Sequence, residues 1–215
     1  DILRFADEVA PGQRLRLVGH DWGAFVAWWL ALRHPERLER LSILNGPHPI
    51  AYGKHVRRSL SQTLKSWYVL AVQMPRLPEW YFARHDFRAL TWALRRSAWP
   101  DTFSDSDVAR YQEAWAQPGA LTAMLNWYRA AVRFPPGPPR RWRVSVPTLI
   151  LWGAHDVALD LALAETSRAM CDDGTLVVFD RASHWVQMDE AGEVNRHLLN
   201  FLAEGDASIG GLRGM

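Results

Sequence analysis

Apolar and polar positions alternate in blocks along the chain. Leu3, Phe5, Ala6 and Val9 fall at helical spacing within Asp1 to Val9, and Pro11-Gly12 ends the run. Arg14 to Val18 alternates polar and apolar, which predicts a strand ending at Gly19. Trp22 to Arg33 is mostly apolar and predicts a helix closed by His34-Pro35, because the residue before proline avoids the helical region. Leu38 to Leu44 predicts a second strand, stopped by Asn45-Gly46-Pro47. Strands that alternate with helices predict a parallel sheet covered on both faces.

From about Ile50 to Arg133 the strand signals vanish and helical periods take over. Pro75, Pro78, Pro100 and Pro118 divide this stretch into four or five expected helices. It carries Trp67, Trp80, Trp92, Trp99, Trp115 and Trp127, at least half of which are expected to pack between helices. Pro135-Pro136-Gly137-Pro138-Pro139 is a stiff connector. Val146 to Trp152 and Thr175 to Phe179 then predict apolar, β-branched strands, and Glu190 to Leu202 an amphipathic helix with Val194, Leu198, Phe201 and Leu202 on one stripe. The expected organisation is an α/β core in two segments, 1–48 and 146–204, with an all-helical insertion at 49–145 and a flexible tail at 205–215.

Composition narrows the function classes. The 215 residues are 48% apolar and 22% charged, which suits a globular chain and excludes a disordered or collagen-like one. With 25 basic against 23 acidic residues the formal charge is +2, too balanced to call for nucleic acid. The longest apolar run, Ala24 to Leu32, is far short of a membrane span. Cys171 stands alone, so an intrachain disulfide is excluded and a cytoplasmic setting is expected. No His, Cys or carboxylate spacing suggests a metal site, no glycine-rich phosphate loop occurs, and no cofactor is expected.

The chemistry concentrates at Gly19-His20-Asp21-Trp22-Gly23, at the join of a strand and a helix. A sharp turn there lifts the central side chain above the sheet edge, and both glycines are expected to be forced by close backbone. The helix that follows aims its free N–H groups at the same spot and favours a carboxylate. The pattern is a nucleophile elbow with Asp in place of Ser. Gly-x-Asp-x-Gly alone occurs by chance in roughly one chain of this length in ten or twenty. Two later residues raise the odds: Asp156, just past the strand that ends near Trp152, and His184, in the loop after the next strand. Nucleophile, acid, then His is the chain order of the α/β-hydrolase triad. Singly, each is more often a turn or loop residue. His34, His48 and His55 read as structural, His155 comes from the wrong loop to be the base, and His20 is expected to pack under the elbow.

An Asp nucleophile is ionised at neutral pH and needs no base for attack. It suits displacement at a saturated carbon, which leaves an alkyl ester of Asp21. His184, oriented by Asp156, would then activate water to cleave it, with the Trp22 backbone N–H holding the oxyanion. Halide and epoxide oxygen are leaving groups that fit. A halide needs a weak donor such as the Trp22 indole, whereas an epoxide needs a stronger one such as Tyr. Tyr52, Tyr68, Tyr81, Tyr111 and Tyr128 are all available in the insertion.

At this point the residues resemble the epoxide hydrolases of the α/β-hydrolase fold. Leu17 to Pro49 looks like that family's elbow region and Ala182 to Leu202 its His region. Ser66-Trp67-Tyr68 with Gln73-Met74-Pro75, and Asn126-Trp127-Tyr128-Arg129, look like its two cap tyrosine segments. The resemblance implies Asp21 as nucleophile, Asp156 as acid, His184 as base, Tyr68 and Tyr128 as donors to the epoxide oxygen, and a helical cap over the site. It implies a small apolar substrate, an epoxide or alkyl halide, with water as co-substrate, and leaves a homodimer open. The family's His-Gly-x-Pro oxyanion segment and its first strands have no counterpart here, so the start at Asp1 is read as a truncation and the strand Arg14 to Val18 as an exposed edge. The runner-up is a haloalkane or haloacid dehalogenase. Some of those place the acid after the second strand, where Asn45 stands here. A third reading, of another class, is a non-catalytic fragment lacking the oxyanion segment.

Overall fold

The computed structural model describes residues 1–203. Helix α1 (Ile2–Val9) leads to strand β1 (Leu15–His20), helix α2 (Trp22–Arg33), a single 3-10 turn (Pro35–Arg37) and strand β2 (Leu38–Leu44). Seven helices follow before the next strand: α3 (Pro49–Val56), α4 (Leu60–Lys65), α5 (Trp67–Ala71), α6 (Leu77–Ala83), α7 (Arg88–Arg96), α8 (Asp105–Trp115) and α9 (Ala120–Arg133). The chain then forms β3 (Thr148–Gly153), α10 (Ala162–Arg168), β4 (Gly174–Phe179), α11 (Val186–Asp189) and α12 (Ala191–Ala203). The tail expected at 205–215, and Glu204 at the end of the second core segment, lie outside the described residues.

The strands run in the order β1-β2-β3-β4, and every neighbouring pair is parallel. All four C-terminal ends therefore meet along one edge. The fully apolar stretch Leu149 to Trp152 explains why β3 is buried along its whole length, since a parallel strand inside such a sheet is covered on both faces. On one face Ile43, Ile150 and Trp152 pack with Ala24 and Trp28 of α2 and Leu163 of α10. On the other, Leu44, Leu149 and Leu151 pack with Ala182, Val186 and Val194. Strand β1 ends the sheet among the described residues, and Val18 on it is exposed. No helix of the described residues is long and apolar enough to cross a membrane.

Several expectations need correction. The region of four or five expected helices holds seven, because proline is not its only punctuation. Pro78 sits in the first turn of α6, where its missing N–H costs nothing, and positive φ at Arg76, His85, Asp86 and Phe87 makes the breaks on either side of that helix. Of the six Trp expected to pack mainly between helices, only Trp115 is buried; it joins Leu94, Phe103 and Val108 in a separate cluster. Trp67, Trp80, Trp92 and Trp127 are each at least half exposed. In α1 only Ala6 is buried while Ile2, Phe5 and Val9 face solvent. Helix α10, which the sequence pattern did not announce, starts at Ala162, and Leu161 before it offers no side-chain cap.

Candidate active site

The turn between β1 and α2 places Asp21 at φ 50° and ψ −117°, a conformation L-residues adopt only at a cost of about 1–3 kcal/mol. Its backbone is held by Asp21 N–H donating to the Leu44 carbonyl and by Phe25 N–H donating to its own. The glycine requirement falls differently from expectation. A Cβ on Gly19 would lie 2.6 Å from the Gly23 carbonyl oxygen, but a Cβ on Gly23 would meet nothing within 4 Å. The second tight approach is at Gly46, where a Cβ would come within 2.2 Å of the Ala24 side chain. There the Trp28 indole also donates to the Gly46 carbonyl at 3.0 Å. The elbow helix is thus pressed against the end of β2.

Asp21, Asp156 and His184, from three loops at the same sheet edge, come together. His184 Nδ1 lies 2.8 Å from Asp156 Oδ2, and His184 Nε2 lies 3.7 Å from Asp21 Oδ1. The Asp21 side chain is 43% exposed, so a small molecule can reach it. Asp156 is buried, and its carboxylate receives further donors: Ala158 N–H at 2.7 Å and Leu159 N–H at 2.9 Å on Oδ1, and Asn45 Nδ2 at 2.8 Å on Oδ2. Burial works to raise the Asp156 carboxyl, but the charge of His184 and these hydrogen bonds hold it below the usual carboxylate range. Burial likewise works to lower the His184 imidazole, and Asp156 and then Asp21 more than reverse it, so it sits above its ordinary value.

Of the five Tyr, Tyr68 and Tyr128 come together near Asp21, close enough for its charge to act on both phenols. Their rings lie 5.5 Å apart, edge to face. Burial raises both phenols, and Asp21 adds to it. The Trp22 ring stands edge to face with that of Tyr128 at 5.0 Å. Tyr52 is tied by its hydroxyl to Ser66 Oγ at 2.9 Å, Tyr81 is exposed, and Tyr111 packs on Phe103 and Trp115.

His20 does not simply sit beneath the turn. Its Nε2–H donates to the His184 carbonyl at 2.8 Å and its ring lies 4.8 Å from the His184 ring, so it braces the loop that carries His184. Burial, then His184, lowers its imidazole. His155 packs on Trp99 at 5.1 Å. His48 is buried and caps α3, accepting from Ile50 N–H. Among the described residues, no group of three or more His, Cys, Asp or Glu could hold a metal ion. A cleft of about 260 Å³ opens between α2 and α9, lined by Trp22, Phe25, Trp29, Trp127, Ala130 and Phe134; it shares Trp22 with the site but includes none of Asp21, Asp156 and His184.

Three supports were missed in the sequence. Asn45 contacts Asp156, as given above. Asp189 Oδ2 accepts from Ser183 N–H at 2.7 Å and from its hydroxyl, while its Oδ1 accepts from the Thr102 hydroxyl. That couples the His184 loop to the helical insertion, as does the Trp185 indole donating to Ser97 Oγ at 2.9 Å. Arg129 donates to the Val72 and Met74 carbonyls and to Glu79. No local spacing announces these contacts, which join residues 50 or more positions apart apart from those within the His184 loop.

The alpha/beta hydrolase fold family model matches residues 1–191. The chain belongs to that family. It is 40% identical over 206 residues to the AB hydrolase superfamily protein YfhM of Bacillus subtilis (strain 168), covering 94% of this chain and 68% of that one. It is 35% identical over 208 residues to Epoxide hydrolase 2 of Caenorhabditis elegans, covering 95% of this chain and 58% of that one. With Epoxide hydrolase 4 of Homo sapiens it shares 34% identity over 197 residues, 87% of this chain and 53% of the relative. Among solved structures, an inhibitor complex of a Bacillus megaterium epoxide hydrolase superposes with a TM-score of 0.83 at 26% identity, over 94% of this chain and 74% of that one. The chain thus spans between about half and two thirds of the length of these curated relatives.

Proposed function

We propose that the protein opens small apolar epoxides to vicinal diols through an ester on Asp21. The observation that carries this reading is the pair of half-buried phenols, Tyr68 and Tyr128, set edge to face near the Asp21 carboxylate, which His184 adjoins with Asp156 behind it. Relatives named as epoxide hydrolases support it.

In the first step an Asp21 carboxylate oxygen bonds to one epoxide carbon and the ring C–O bond breaks. The leaving oxygen takes a proton from Tyr68 or Tyr128. Burial keeps both phenols protonated at neutral pH, so a donor is present when the alkoxide forms. In the second step a water attacks the ester carbonyl of Asp21 and gives its proton to His184 Nε2. Asp156 holds the other ring nitrogen and stabilises the imidazolium. The oxyanion faces the start of α2, where the Trp22 N–H is a donor. On collapse the bond between the ester carbonyl carbon and the diol oxygen breaks, the departing alkoxide takes the proton from His184, one water oxygen stays on Asp21, and the remaining water proton returns to the tyrosinate. Helices α3–α9 serve as the lid that brings the phenols to the core.

Two phenols, the stronger donors an epoxide oxygen needs, stand together here, and the Trp22 indole, the weak donor a halide would need, packs edge to face on one of them. This weighs against the dehalogenase reading. Single turnover of an epoxide in heavy-oxygen water, followed by peptide mass spectrometry, should place the label on Asp21. Diol formation with no label on Asp21 overturns the covalent step, and halide release from chloroalkanes without diol from epoxides reverses the order of the two readings.

A further inference from the structure

Asn45 closes strand β2 where the sequence offers only a turn. It is fully buried and holds φ 37°, in the left-handed region that Asn tolerates better than most residues with a side chain. Its amide is oriented unambiguously. Oδ1 accepts from Gly153 N–H at 2.9 Å, so Nδ2 faces Asp156 and donates to Oδ2 at 2.8 Å. That same oxygen contacts His184 Nδ1 at 2.8 Å.

The other Asp156 oxygen is pinned by Ala158 and Leu159 N–H, both from its own loop. Asn45 is therefore the residue by which a neighbouring strand fixes the oxygen that orients His184. We infer that Asn45 is a positioning residue for the second half-reaction: it holds Asp156 in the orientation that keeps the His184 proton on Nδ1 and Nε2 free to take a proton from water. This inference rests on the epoxide-hydrolase reading of the site. Attack by Asp21 needs no base, so Asn45 acts on ester hydrolysis and leaves ester formation alone.

Two variants separate this role from a structural one. Asn45→Gly keeps the left-handed backbone and deletes the amide. Asn45→Asp keeps an oxygen for Gly153 N–H and sets a second carboxylate against Asp156 in place of the donor. Rapid-quench mass spectrometry on the full chain follows the Asp21 ester. In Asn45→Gly the ester should form at the wild-type rate and decay about tenfold or more slowly, so that it accumulates. In Asn45→Asp the added negative charge should hold the imidazolium to higher pH and move the acid limb of decay upward. Equal slowing of formation and decay, or unchanged decay in both variants, overturns the inference. A wild type that forms no Asp21 ester overturns the epoxide reading instead. Nitrogen NMR of the His184 ring then still decides the role of Asn45: both variants should change its tautomer or titration, and an unchanged ring overturns it. Asn45→Asp carries the test if the glycine variant does not fold.

Discussion

Arg129 meets Glu79 through two parallel contacts, Nη1 to Oε1 at 2.6 Å and Nη2 to Oε2 at 2.9 Å, and so ties the helix that carries Tyr128 to the segment that follows Tyr68. The same guanidinium donates to the Val72 and Met74 carbonyls, which leaves it almost wholly enclosed. It is a clamp between the two elements that supply the phenols. Arg129→Met should lower unfolding stability by about 2–3 kcal/mol, since it strips donors from buried carbonyls and from a carboxylate. It should also slow epoxide opening more than ester hydrolysis, as thermal unfolding and stopped-flow kinetics would register.

Removing one phenol should leave the other in place as donor. Tyr68→Phe and Tyr128→Phe are each expected to slow epoxide opening by about a hundredfold, in keeping with general acid catalysis. The double variant should form no Asp21 ester within the time of a wild-type turnover. Full activity in the double variant would remove both residues from the site.

His184 sits above its ordinary value because Asp156 and Asp21 outweigh burial. A base must be neutral, so ester hydrolysis should fade as pH falls through that raised value while ester formation continues. The adduct should then accumulate under mildly acidic conditions, and rapid-quench assays across pH would show it. The raised value also stabilises the fold. That contribution is complete below the ordinary value of about 6.5 and is lost as pH rises through the folded-state value. Asp156→Asn should abolish this dependence in denaturant titrations.

His48 gives the opposite sign. Burial pushes its imidazole down to about 4. The stability tied to keeping it neutral is complete above about 6.5 and is lost as pH falls toward 4, a change of about 3 kcal/mol. Asn is a good cap, so His48→Asn should keep the start of α3 and flatten the acid side of the stability curve measured in urea at several pH values.

The elbow glycines should differ in tolerance. Gly23→Ala meets open space in a helix and should stabilise by about 0.5–1 kcal/mol. Gly19→Ala and Gly46→Ala run into the Gly23 backbone and the Ala24 side chain, and should each destabilise by about 1–3 kcal/mol. Chemical denaturation of the three variants checks the order.

Much of this was legible in the sequence, and the misses share a cause. Trp22–Arg33 and Leu38–Leu44 have the bounds their hydrophobic patterns give, because proline, asparagine and glycine mark their ends. Strand β3 starts after Pro147, two residues later than the apolar run suggests. Asp21, Asp156 and His184 could be picked out because each follows a recognisable strand. Asn45 follows one too, yet its contact with Asp156 depends on β2 and β3 being neighbours, which chain order alone leaves open. The tight glycine at position 46 was hidden for a like reason: its neighbour is Ala24, across the fold. In the insertion, helical periods locate the elements but cannot say which face of a short helix finds a partner, and Trp67, Trp80 and Trp92 face solvent.

Those exposed indoles stand at the opposite extreme of solvent contact from the indoles of the sheet core. Trp28 and Trp152 are fully buried, while Trp67, Trp80, Trp92 and Trp127 are each at least half exposed to water. Unfolding shifts the emission of the first group to the red, and anything that settles on the helical insertion shifts the second to the blue. Intrinsic fluorescence therefore moves in opposite directions when the sheet core opens and when the helical insertion is covered, without a label.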